Sequence, residues 1–145
     1  MHRLRPLPVA AFSALTLLIW VNRIWLAWTN ADDTVAQKVV WSIPIVAFVV
    51  AAAVLLVAQL RGRSDAPWFR PVVLAFAAAT TLYWAIRLPI IWVNDHGLTA
   101  DEELGFKLVH TVLAVASVGA AAFAARWARP GSERPGPKRR GSAVA

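Results

Sequence analysis

The sequence contains no cysteine and little charge. Without cysteine, the chain can form no disulfide, no thiolate nucleophile and no cysteine-ligated metal site of its own. Charged residues make up 16% of the 145 residues and apolar residues 59%, a balance far from that of soluble domains. A His-Glu-x-x-His motif, a glycine-rich phosphate loop and a nucleophile elbow are also missing. The sequence therefore predicts a membrane protein without enzymatic activity, metal or cofactor.

Four apolar stretches account for most of the chain. Each has 22 or 23 residues, enough for a helix to cross a hydrocarbon core of about 30 Å at about 1.5 Å per residue. The stretches are continuous rather than alternating, which indicates helices and not barrel strands. The first is long for a signal-peptide core, so we expect it to be retained. We predict an all-α, four-transmembrane-helix bundle over residues 1–128, with spans at 7–29, 39–60, 71–93 and 105–126.

Basic residues are distributed unevenly between the two ends of this bundle. Eleven of the fifteen lie in the amino terminus, the 61–70 connection and the carboxyl-terminal segment. Because basic loops stay in the cytoplasm, we predict a multi-pass cell-membrane protein, bacterial in composition, with both termini cytoplasmic. Residues 129–145 are predicted to be a disordered basic cytoplasmic tail. The net charge of +7 then reflects topology and contact with lipid head groups, not nucleic-acid binding.

The first and third spans share a pattern that indicates an internal repeat. At a spacing of 64 residues the matched pairs are Thr16 with Thr80, Trp20 with Trp84, Arg23 with Arg87, Trp28 with Trp92, and Asn30 with Asn94. A weaker match at a spacing of 69 residues aligns Lys38 with Lys107 and Trp41 with His110. We predict two parallel-repeat helical hairpins related by an axis along the membrane normal. The alternative to duplication is that the two apolar helices acquired similar residues independently.

The repeated residues fall on one face of each helix. Positions 16, 20, 23, 27 and 30 are three or four residues apart, and so are their counterparts in the third span. Charge inside a membrane normally faces a bundle interior or an aqueous cavity. We therefore predict that Arg23 and Arg87 face each other's helix at equal depth, with snorkelling to the head groups as the alternative. Trp20 and Trp84 lie one turn away, where their rings can stack on the guanidinium groups.

The two halves of the predicted bundle differ in residue size. Small residues recur at four-residue spacing in the fourth span, at 116, 120 and 124 and at 117, 121 and 125, and predict close packing in the cytoplasmic half. Larger polar residues, with Pro44 and Pro89, predict wider separation toward the outside. The sequence thus predicts an outward-facing vestibule with these binding residues: Arg23, Arg87, Trp20, Trp84, Asn30, Asn94, Lys38, Lys107 and His110.

Three classes of function fit this pattern. The first expectation is an accessory or scaffold subunit of a larger membrane assembly, in which the polar faces join helices and leave no free cavity. The alternative is a small transporter, channel or receptor that binds an anionic solute or lipid head group between Arg23 and Arg87. A haem or quinone protein is the third class, since His96 and His110 lie at the same end. The expected partners are the lipid bilayer and another membrane protein or a second copy of this chain.

Overall fold

The computed structural model of the protein describes residues 6–29, 31 and 34–129. This part of the chain is all-helical, with α1 at Leu7–Thr29, α2 at Val35–Leu60, α3 at Phe69–Val93 and α4 at Ala100–Ala128. Each helix is long and apolar enough to cross a membrane, which confirms the four span-length helices and is compatible with a multi-pass membrane protein. Apart from Arg129, the predicted tail lies outside the described residues, as does Asn30.

Two helices begin before their apolar stretches because polar caps set their first turns. α2 starts before residue 39, at a capping box in which Thr34 accepts from the Gln37 amide and the Gln37 side chain accepts from the Thr34 amide. α4 starts before residue 105, at the same reciprocal arrangement of Thr99 and Glu102. Such pairs satisfy amide groups that the first helical turn leaves without partners.

A glycine ends α2 and starts the turn toward α3. Gly62 has a φ of 69°, in the left-handed region that side chains with a Cβ rarely adopt. Its amide donates to the Gln59 carbonyl at 2.9 Å, and the Arg63 amide donates to the Ala58 carbonyl at 2.8 Å. These bonds cap the last carbonyl groups of α2, so the chain can reverse within a short connection.

The four helices pack as two hairpins. α1 packs along α2, and α3 packs along α4. α1 also packs against α4, whereas α2 and α3 have little contact with each other. We call the end of the bundle with the 61–68 connection the terminal end. The opposite end, where residues 30–34 and 94–99 connect the helices of each hairpin, is the hairpin end.

Aromatic and aliphatic side chains fill the core at the terminal end. The rings of Phe12 and Phe76 contact each other across the bundle, with 4.7 Å between their centroids. Alanines of α2 and α4 belong to the same buried cluster and let the helices approach closely. The fully buried members are Val9, Phe12, Ala52, Leu55, Phe69, Val73, Ala121 and Ala124.

Both small-residue rows of α4 contribute to this core. Ser117, Ala121 and Ala124 are buried, whereas Ala116 is exposed. Close packing was predicted for both rows, and Ala116 is the member that is exposed. Positions at the same four-residue spacing are equivalent in sequence, and only the neighbouring helices decide which of them are covered.

The buried positions recur at constant spacing between corresponding helices. Five positions of α1 are buried again 64 residues later in α3, and five of α2 are buried again 69 residues later in α4. The first set is Val9, Phe12, Ser13, Thr16 and Trp20, with Val73, Phe76, Ala77, Thr80 and Trp84. The second set is Ile45, Phe48, Ala52, Leu55 and Gln59, with Ala114, Ser117, Ala121, Ala124 and Ala128. Corresponding helices therefore bury the same face.

A larger side chain at the buried row of α4 is expected to destabilise the bundle. Ala121 is fully buried and Ala122 is exposed, so the substitution Ala121→Leu forces apart packed helices while Ala122→Leu does not. We expect Ala121→Leu to lower the free energy of unfolding by about 1–3 kcal/mol. Thermal unfolding of both variants in the same detergent measures the difference, and equal midpoints would contradict the packing described.

Candidate functional site

A cavity of about 530 Å³ lies inside the bundle toward the hairpin end. Its volume is in the usual range for small-molecule sites, about 300–1,000 Å³. All four helices contribute to the wall. Its aromatic and polar lining residues are Trp20, Arg23, Tyr83, Trp84, Arg87, Phe106 and His110. Its aliphatic lining residues are Ile19, Leu26, Pro44, Ile45, Ile86, Ile90 and Ile91. Both arginines of the sequence pattern therefore border the same space.

Aromatic rings separate the cavity from the core of the terminal end. Trp20 and Trp84 lie one helical turn below the arginines, are each 5% exposed, and have ring centroids 6.5 Å apart. Trp20 stacks on Phe48 with 4.9 Å between centroids. Tyr83 packs edge-on against Trp20 and Trp84 at 5.1 and 5.5 Å. The cavity thus has a floor of aromatic rings.

Arg23 is joined to α4 through His110. The Nδ1 atom of His110 lies 2.7 Å from the Phe106 carbonyl oxygen, which can only accept, so Nδ1 carries the hydrogen. The Nε2 atom then accepts a hydrogen bond from Nη2 of Arg23. A neutral imidazole therefore holds a charged guanidinium group, and the bond connects α1 with α4.

The charges that line the cavity are all positive. The lining contains two guanidinium groups and, within the described part of the chain, no carboxylate. Arg23 and Arg87 are close enough for their charges to interact. Charges held in apolar surroundings are stable only when they are paired or well solvated. An anion between the arginines would reduce their repulsion, so the arrangement is chemically suited to bind one.

Two buried polar groups lie in the helices around the cavity without a hydrogen-bond partner in the described chain. The buried indole nitrogen of Trp84 has no hydrogen-bond partner among the described residues, and neither does the hydroxyl of Thr80 one turn below. Buried indole N–H groups usually have a partner. Both atoms are buried within the protein, so neither is exposed to the cavity as a donor.

Three of the residues predicted from the sequence lie away from the cavity. The Nζ atom of Lys38 donates to a backbone carbonyl of α1 at 3.2 Å. Lys107 forms an ion pair with Glu103 at 2.8 Å. Asn94 is exposed at the end of α3. The structure therefore brings together Trp20, Arg23, Trp84, Arg87 and His110, and leaves the lysines and Asn94 outside.

Trp28 and Trp92 make matching bonds in the two hairpins. The Trp28 indole donates to the Ser42 hydroxyl at 3.0 Å, and the Trp92 indole donates to the Thr111 hydroxyl at 3.1 Å. Each indole therefore crosses between the two helices of its own hairpin, near the hairpin end. Interface aromatics of this kind are common anchors in membrane proteins, and here they also connect helices.

The two histidines considered as haem ligands are separated by a phenylalanine. The Phe106 ring lies 4.6 Å from that of His96 and 4.2 Å from that of His110. Both ring nitrogens of His110 are hydrogen-bonded, and Nδ1 of His96 is bonded to Glu103 at 2.9 Å. Across residues 6–29, 31 and 34–129, no group of three or more His, Asp or Glu residues is placed to hold a metal ion. The geometry gives the haem alternative no support.

Tyr83 and the aliphatic wall were missed by the sequence argument. Tyr83 is the only tyrosine of the chain and precedes Arg87 by one helical turn, which places both on one side of α3. That spacing was a readable signal. The isoleucines gave no such signal, because the sequence does not distinguish an isoleucine that lines a cavity from one that faces lipid.

In comparisons with known proteins, no protein-family model, no curated protein and no solved structure matches this chain. Its function is therefore argued from the site alone.

The bond between Arg23 and His110 should be measurable as a coupling energy. We expect the cycle of Arg23→Met and His110→Phe to give a favourable coupling of about 1 kcal/mol in the free energy of unfolding, because each single change removes the same interhelical bond. The matched cycle pairs His110→Phe with Arg126→Met, at an exposed arginine in the last turn of α4. That cycle should be additive within about 0.5 kcal/mol. Equal couplings in both cycles would exclude a specific bond.

Proposed function

We propose that this chain is a multi-pass membrane protein that binds the anionic group of a solute or lipid between Arg23 and Arg87. The observation that carries the proposal is the cavity, which two guanidinium groups and a neutral imidazole border and which no carboxylate of the described chain lines. Guanidinium groups bind phosphate and carboxylate groups through paired N–H donors. The proposed class is a small transporter, channel or receptor, and no catalytic step is included.

The surroundings of the arginines support strong electrostatic binding. Aromatic and aliphatic side chains make up most of the lining and reduce the water around the two charges. Two opposite charges 4 Å apart attract by about 1 kcal/mol in water and about 4 kcal/mol at an effective dielectric constant near 20. The same anion is therefore expected to bind far more strongly here than at an exposed arginine pair.

The proposal includes duplication of a two-helix hairpin. Constant spacings of 64 and 69 residues between buried positions support it. So do contacts between residues that occupy the same position in each copy: Phe12 with Phe76, and Trp20 with Trp84. Two parallel hairpins related by an axis along the membrane normal would hold Arg23 and Arg87 at equal depth.

We further propose that both termini lie in the cytoplasm of a bacterial cell, so that the hairpin end and its cavity face outward. The supporting observation is the charge of the connections. The 61–68 connection carries Arg61 and Arg63, whereas the 94–99 connection carries no lysine or arginine. Basic connections between spans remain in the cytoplasm.

A scaffold role in a larger assembly is a second candidate. The bond between Arg23 and His110 favours it, because a polar residue used only to join helices would make such a contact. The cavity beside Arg87 favours the binding role, because a purely structural polar face would leave no space to fill. A companion protein recovered at fixed ratio after mild solubilisation would support the scaffold.

The natural absence of cysteine allows a clean test of the orientation. Asp65 and Asp101 are exposed at opposite ends of the bundle, so Asp65→Cys and Asp101→Cys introduce a single thiol on either side. In intact cells, a membrane-impermeant maleimide should label the Asp101→Cys variant and leave the Asp65→Cys variant unlabelled until the cells are permeabilised. The reverse labelling would overturn the orientation.

Anion binding is tested with inorganic phosphate as the probe. Equilibrium dialysis of the full chain in nonionic detergent should show saturable binding with a Kd of about 1 mM or tighter. Arg23→Gln and Arg87→Gln should each weaken binding about tenfold or more, since a hydrogen bond to a charged group contributes about 1.5–3 kcal/mol. The control is Arg126→Gln. Arg126 lies at the terminal end, so its substitution is expected to leave phosphate binding unchanged. Loss of binding in all three variants, or in none, would reject the site.

A further inference from the structure

The cavity is not closed equally on its two sides. Between α1 and α4, the helices pack together and the bond from Arg23 to His110 crosses the interface. Between α2 and α3, the backbones approach each other closely at few positions. Arg87 lies on the helix that borders this second, weakly packed interface. The cavity therefore has a weak wall on the side of α2 and α3.

Aliphatic side chains line this weak wall from the cavity to the outer surface. Pro44 and Ile45 border the cavity from α2, and Ile86 and Ile90 border it from α3. Ile86 is 56% exposed and Ile90 38% exposed, so both belong at once to the cavity lining and to the outer surface of the bundle. We call this row of apolar side chains at the edge of the cavity, Pro44, Ile45, Ile86 and Ile90, the aliphatic path.

The volume is much larger than an inorganic anion needs. A tetrahedral oxyanion takes up roughly the space of a few water molecules, at about 30 Å³ each. The cavity has about 530 Å³, and aliphatic side chains line much of it. A ligand that fills this space therefore combines an anionic group with a long apolar part.

We propose that the ligand is an anionic membrane lipid, whose head group lies between Arg23 and Arg87 and whose acyl chain passes between α2 and α3. This inference rests on the proposed function and adds the ligand class and its route. Charge complementarity selects the head group, since the lining holds two guanidinium groups and no carboxylate within the described chain.

An anionic lipid accounts for both the guanidinium groups and the aliphatic lining of the cavity, whereas a soluble anion or a protein segment accounts for only one of them. An acyl chain exchanges one apolar surrounding for another when it moves from the bilayer into the gap, so its transfer has little cost. A soluble anion leaves the aliphatic path without an occupant. A protein helix is about 10 Å wide. The Phe48 ring of α2 contacts the rings of Phe76 and Tyr83 of α3, with 5.8 and 5.5 Å between ring centroids, so a helix does not fit between α2 and α3 at that level.

The test uses the full chain in phosphatidylcholine nanodiscs with a small fraction of photoreactive lipid. One probe is phosphatidylglycerol with a diazirine in one acyl chain, and the other is phosphatidylcholine with the same chain. After irradiation, mass spectrometry measures labelling at Ile45, Ile86 and Ile90 relative to Leu108, Val112 and Val115, which are exposed on α4. We expect this ratio to be about tenfold higher for phosphatidylglycerol.

Two variants connect this labelling to the arginines. Arg87→Gln should reduce the ratio for phosphatidylglycerol to that of phosphatidylcholine, while Arg126→Gln should leave it unchanged. Equal ratios for the two lipids in the unmodified chain would overturn the inference. If inorganic phosphate still binds in that case, only the assignment of the ligand as a lipid is rejected and the anion site is retained. If phosphate binding also fails, the proposed function itself is rejected.

Discussion

A guanidinium group inside an apolar helix needs a partner, and this requirement organises the hairpin end of the structure. Arg23 meets it through the Nε2 atom of a neutral His110, which is available only because Nδ1 donates to a backbone carbonyl. Arg87 borders the same cavity from the opposite hairpin. No carboxylate lines this cavity in the described part of the chain, so the charge at its wall is positive.

The other end of the bundle supplies the rigidity on which this site depends. Phe12 and Phe76 meet across the core, and fully buried alanines of α2 and α4 allow the helices to approach them closely. Above these rings, Trp20 and Trp84 form the floor of the cavity. Small and aromatic side chains thus fill the terminal end, and larger polar and aromatic side chains border the cavity above it.

Departure from symmetry distinguishes the two sides of the cavity. In the sequence, Trp41 stands at the position that matches His110, so only one of the two arginines has an imidazole at the corresponding place. The interface of α1 with α4 contains the Arg23–His110 bond, and the interface of α2 with α3 is packed more loosely. The two sides of the cavity therefore differ in how closely their helices pack.

By itself, the sequence determined the four helices, the faces that carry Arg23 and Arg87, and the depth of Trp20 and Trp84 below them. These properties follow from hydropathy and helical spacing, which are local and need no knowledge of neighbours. Only the tertiary structure decided that His110 bonds Arg23, that Lys38 and Lys107 lie away from the cavity, and that Ala116 faces outward. It also decided which side of the cavity is weakly packed. The physical reason is that partner choice depends on side chains distant in the chain, whose pairing is set by how whole helices pack and not by the pattern of any single one.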